Sequence, residues 1–148
     1  MSAYLTIIEA QAYFNKRLST DAWDDASATD RQKALEQATR IIDRLNYIGN
    51  RHVDTQANEF PRGTDTVVPD DIKYATAEIA LALLDGVDAE VEYENLHMTA
   101  YKYGPVQATF ERTTVSEATL VGVPSIIAWR YLIPYLRDPN SLKLNRVS

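Results

Sequence analysis

Apolar residues recur at helical intervals along much of the chain. Thr6, with Glu9 three residues later, has the form of a capping box, and Ala10, Tyr13, Phe14 and Leu18 follow at spacings of three and four. Thr20 is placed to cap a short turn carrying Asp21, Ala22 and Trp23. Thr29 and Gln32 offer a second capping box ahead of the clearest amphipathic pattern in the chain. There Ala34, Leu35, Ala38, Ile41, Ile42 and Leu45 share one face while Arg31, Lys33, Glu36, Arg40, Asp43 and Arg44 lie elsewhere, and Gly49 and Asn50 supply a stop. Pro69, Asp70 and Asp71 open another helix, with carboxylates at the positive end of its dipole. Ile72, Ala75, Ile79, Ala80, Leu83 and Leu84 keep its period, while Ala77, Leu81 and Ala82 make the other sides apolar too, which marks it as the central helix before Gly86. A last helical pattern runs from Pro124 to Leu136 through Ile126, Ile127, Trp129, Tyr131, Leu132 and Ile133, with Pro134 expected to kink its final turn.

Elsewhere the period is lost. Residues 50–68 form a long polar connection, of a length that is functional or disordered in many domains. From Met98 to Glu111 aromatic and branched residues surround a Gly104-Pro105 break, which reads as two short strands or one kinked strand. Residues 112–123 read as a loop. The fold class expected is mainly α: a bundle of four to five helices with a small β-hairpin or kinked strand at about residues 98–111 and an extended C-terminal tail. The expected division is one helical domain over 1–136 and a tail over 137–148, at a total length that fits one core.

Charge sharpens this picture. The formal net charge is −6, and the tail after Leu136 sets Arg137, Lys143 and Arg146 against Asp138, so the acidic excess lies in the helical part. It peaks at Asp85, Asp88, Glu90, Glu92 and Glu94, a run without a basic residue. Such a chain repels nucleic acid on average, whereas phosphate-gripping proteins cluster Lys and Arg. No apolar run approaches the roughly 18 residues of a bilayer span, and MSAYLTIIEA has no basic region ahead of its apolar residues, so neither a membrane segment nor a secretion signal is expected. With no cysteine there is no disulfide, thiolate nucleophile or cysteine metal site.

Reactive chemistry is sparse as well. His52 and His97 stand far apart in polar surroundings, without the clustered ligands of a zinc site or the third group that orients a nucleophile's base. Gly63-Thr64-Asp65-Thr66 lacks the Gly-Lys-Ser/Thr ending of a phosphate loop, and Asp88, Glu90 and Glu92 lack the glycine and twelfth-position glutamate of a calcium loop. Nine tyrosines and two tryptophans are available to stack on bases, yet Tyr13, Trp23, Trp129 and Tyr135 fall at packing positions. The reading is a protein without catalysis, cofactor or metal, and without a basic, aromatic-lined groove.

Four stretches nevertheless carry a likeness. Glu9-Ala10-Gln11-Ala12-Tyr13-Phe14 precedes Ala22-Trp23; Lys33-Ala34-Leu35-Glu36-Gln37-Ala38-Thr39-Arg40-Ile41-Ile42-Asp43 follows. Gln56 leads to Phe60-Pro61-Arg62 and Val68-Pro69, and Tyr103-Gly104-Pro105-Val106 stands ahead of Pro124-Ser125-Ile126-Ile127 and Leu132. In this order they resemble the head-tail connector (adaptor) proteins of tailed bacteriophages, a family also named DnaT-like single-stranded-DNA-binding. The acidic run after Gly86 and the tail after Leu136 depart from the family pattern.

The resemblance implies a structural subunit of a dodecameric ring beneath the portal, joining it to a tail or nozzle protein and lining the exit of double-stranded DNA. Its place would be the virion neck, and the host cytoplasm during assembly. The family's other name implies single-stranded-DNA binding as the alternative. A ring needs two unlike patches on each copy; the expected ones are Phe60, Pro61 and Arg62 in the long connection and Tyr101, Tyr103, Val106 and Phe110 in the strand segment. Some of Asp85, Asp88, Glu90, Glu92 and Glu94 are expected to face a channel or rim. Arg137, Leu142, Lys143, Leu144, Arg146 and Val147 are expected to order on the portal.

Overall fold

The fold is organised around one helix that is buried on almost every side. The computed structural model describes residues 2–87 and 121–137. Its helices are α1 (Ile7–Phe14), α2 (Asp21–Asp25), α3 (Ala28–Asp43), α4 (Asp70–Leu84) and α5 (Ile126–Leu132), followed by a 3-10 turn at Ile133–Tyr135. α4 packs most extensively against α3 and α5 and also touches α1 and α2. Every residue from Ala75 to Leu81 is buried, which is why its apolar residues do not keep to one stripe. Ala34 and Ala38 of α3 and Ala75, Ala77 and Ala80 of α4 are buried small residues, while Trp23, Leu35, Ile42, Ile72, Ile79, Trp129 and Leu132 fill the volume between helices. The mainly helical fold expected from periodicity is the one observed. The strand segment 98–111 lies outside the described residues; among those that are described, pairing is limited to isolated bridges.

The helix ends show where local chemistry decides. Thr6 and Glu9 form the expected capping box, the Thr6 hydroxyl accepting from the Glu9 N–H at 3.2 Å and the Glu9 carboxylate from the Thr6 N–H at 3.1 Å. α1 stops at Phe14, however, and Leu18 is 87% exposed in place of continuing the apolar face. Arg17 and a left-handed Ser19 (φ 60°) turn the chain away there. α3 is capped by Ser27, whose hydroxyl accepts from the Asp30 N–H at 3.1 Å, and the Thr29–Gln32 pair falls inside the helix. It ends at Asp43 and not at Gly49, because Tyr47 turns into the core and donates its hydroxyl to the Ile42 carbonyl at 2.6 Å. Gly49 serves the following turn at φ 78°. Thr20 precedes α2, but its hydroxyl bonds the Asp24 carboxylate and no backbone N–H. Pro134 changes α5 into the 3-10 turn, having no N–H to continue the α pattern.

The connection 50–68 folds back on itself. Arg51 and Arg62 pair in an antiparallel bridge, the Gly63 N–H donates to the Asn50 carbonyl at 2.9 Å, and Gln56 donates to the Asn58 and Pro61 carbonyls. Phe60 anchors this excursion in the core, 4% exposed, among the rings of Tyr4, Tyr47 and Tyr135.

Candidate functional site

α1, α4 and α5 place three tyrosines in a row. Tyr13 near the end of α1 lies 5.2 Å from Tyr74 of α4, centroid to centroid, with the rings tilted by 30°. Tyr74 in turn lies 5.7 Å from Tyr131 of α5. The three line a groove of about 530 Å³ together with Leu5, Glu9, Ala12, Lys16, Arg17, Asp70 and Lys73. The middle ring is the most accessible: Tyr74 is 37% exposed, next to the buried stretch Ala75–Leu81. An exposed aromatic with cations beside it offers a stacking face with phosphate-sized charges at its rim.

The cations are not equivalent. Lys16, exposed at the end of α1, has no ion-pair partner among the described residues. Lys73 makes only a long contact with Glu9, 3.5 Å. Arg17 is largely engaged: its Nε and Nη2 donate to the two carboxylate oxygens of Glu78 at 2.7 and 3.0 Å, and its Nη1 donates to the Leu18 and Ser19 carbonyls. The carboxylate hydrogen bonds of Glu78 raise the Arg17 guanidinium further into its charged range. Glu78 is itself buried and accepts a third bond from the Tyr13 hydroxyl. Burial, with the neighbouring Glu78 carboxylate, pushes the Tyr13 phenol well above its ordinary value, so it remains a donor.

Tyr13 packs against the core, as its position in the sequence led one to expect, and one side of it also lines this groove, which the sequence reading did not foresee. The parts of the groove come from three helices far apart in the chain. The visible signals are Lys73-Tyr74, a cation and an aromatic side by side on the polar flank of α4, and Lys16 three places after Tyr13.

The other expected residues are placed as follows. Phe60 belongs to its own subunit's core, and Arg62 is held by Glu59 and by the Ile48 and Gly49 carbonyls, stacking over the Tyr47 and Phe60 rings. Burial makes a subunit contact through the Phe60 ring unattainable without opening the protein, because that ring already has its neighbours. Pro61 follows it half-buried. Asp85 ends α4, exposed. Arg137 donates its Nε to the Tyr47 carbonyl at 3.0 Å and borders a small hollow with Arg44 and Trp129. Tyr101, Tyr103, Val106, Phe110, Asp88, Glu90, Glu92, Glu94, Leu142, Lys143, Leu144, Arg146 and Val147 lie outside the described residues. Among the described residues no cluster of three His, Asp or Glu could hold a metal ion, and no helix is long and apolar enough to cross a membrane.

Compared with known families, residues 1–144 match the model of a family described as "Putative DnaT-like ssDNA binding protein". No curated protein and no solved structure matches the chain.

Proposed function

The chain belongs to this DnaT-like family, and from that premise we propose that it binds single-stranded DNA, weakly and without sequence preference, in the groove between α1, α4 and α5. The observation that carries the reading is the exposed Tyr74 ring between Tyr13 and Tyr131, with Lys16 and Lys73 beside it. A base stacks on any aromatic face, so such a site discriminates little between bases, while the two lysines meet the backbone phosphates. The net charge of −6 opposes binding at long range and makes it weak, and with two lysines on phosphates the dependence on salt is shallow.

Titrating a fluorescein-labelled oligo-dT with the protein, followed by anisotropy at low and at physiological salt, tests this. Saturable binding that Tyr74→Ala weakens by at least about fivefold is expected, since one base–aromatic stack is worth about 1–3 kcal/mol. No binding at low salt, or binding indifferent to Tyr74, would overturn it.

A second reading is favoured by the acidic charge and by the four-stretch resemblance to phage connectors: a non-catalytic ring subunit of the virion neck, meeting portal and tail and letting double-stranded DNA slide past. Head-to-tail rings need unlike apolar patches, and Ile8, Leu18, Val67 and Ile127 are exposed apolar side chains at different places on the fold. Electron microscopy of the protein mixed with its portal separates the two readings: a ring on the portal together with a flat oligonucleotide titration selects the connector.

A further inference from the structure

We infer that Glu78 sets the affinity of the tyrosine groove by withholding Arg17 from it. This rests on the single-strand reading and names what limits it. Among the described residues Arg17 is the one guanidinium in the groove wall, the residue type best shaped for a phosphate. Four of its five N–H donors are already engaged, Nε and one of Nη2 by Glu78 in a two-point clamp and Nη1 by the Leu18 and Ser19 carbonyls. The Glu78 side chain is 2% exposed, so its charge is screened by protein and not by salt, and it cancels Arg17 wherever a phosphate approaches. The left-handed Ser19 is part of the same arrangement, because it turns its carbonyl and that of Leu18 toward the guanidinium. What remains for DNA is Lys16 and the loosely paired Lys73. The clamp is therefore a brake, which keeps a single strand on the groove for a short time only.

Neutralising the carboxylate while keeping its shape releases one positive charge. In Glu78→Gln the amide oxygen can still accept from the Tyr13 hydroxyl and Arg17 Nε, while the bond to Arg17 Nη2 is lost, so the wall keeps part of its hydrogen bonding and loses its anion. For single strands each phosphate neutralised adds roughly 0.7 to the slope of log affinity against log salt, which amounts to about fourfold in affinity at physiological salt. The expected result for Glu78→Gln is therefore oligo-dT binding about fourfold tighter, with the salt slope steeper by roughly 0.7. Arg17→Gln, which leaves the Glu78 charge unopposed, should bind more weakly than wild type. A residue that merely holds α1 to α4 would weaken binding in both variants, in step with their melting temperatures, and that outcome overturns the inference. So does Glu78→Gln with unchanged affinity and slope. Should Glu78→Gln not fold, unaltered binding by Arg17→Gln overturns it alone. A wild-type protein that does not bind oligo-dT defeats the groove reading itself, whereas binding that ignores Glu78 defeats only this step.

Discussion

Tyr47 and Phe60 pack edge to face, their ring centroids 4.7 Å apart, joining the end of α3 to the tip of the long connection. The pair holds residues 50–63 against the core, because Phe60 is that segment's buried ring. Phe60→Ala leaves a cavity beneath three tyrosines and should destabilise the protein by about 3–5 kcal/mol in urea unfolding. A loss under 1 kcal/mol would mean that the connection is not anchored there.

Asp43 makes stability depend on pH. It accepts from the Tyr4 hydroxyl and, at 3.3 Å, from the Glu59 N–H, yet its second oxygen is buried without a partner. Burial raises its pKa above the ordinary 3.8. A carboxyl that binds its proton more tightly folded than unfolded contributes most stability below 3.8, and that contribution is lost as pH rises through the higher folded value. Relative to Asp43→Asn, the wild type should be most stable at the acid end and lose the difference between about pH 4 and neutrality. Glu9, which the Thr6 N–H lowers, runs the opposite way, but its titration is common to both proteins and cancels. Melting temperatures of the two proteins across this range are the measurement; a constant difference contradicts the assignment.

Two hydroxyls near the start of α3 should behave differently. Ser27→Ala removes the acceptor for the Asp30 N–H and should lower stability by about 1 kcal/mol, whereas Thr29→Ala, inside the helix, should be neutral or slightly stabilising. Chemical denaturation of both variants checks the order.

Lys16 is the groove cation without an ion-pair partner among the described residues, so Lys16→Gln should lower the salt slope of oligo-dT binding by roughly 0.7 with no change in melting temperature. A slope unchanged from wild type would place the strand elsewhere.

Periodicity made the helices legible, and α4 as the central one, because burial on all sides leaves a run of apolar residues that no surface helix tolerates. The ends were less legible. Thr29–Gln32 has the form of a capping box in sequence, yet it lies inside α3, and Ser27, whose hydroxyl takes the Asp30 N–H, is the cap. Gly49 resembled a stop, but the pull of Tyr47 into the core ended α3 earlier. The groove was the least legible part. Tyr13, Tyr74 and Tyr131 meet only after α1, α4 and α5 have packed, and no single window of sequence contains more than one of them.

Tyr47 and Leu136 form an isolated antiparallel bridge, with the Ile48 N–H bonded to the Tyr135 carbonyl at 2.9 Å and the Arg137 N–H to the Asn46 carbonyl at 3.1 Å. These two bonds fasten the chain that leaves α5 to the segment that follows α3. Whatever grips the chain past this point takes hold of the body of the protein, as a rope does when it is belayed before it reaches the climber.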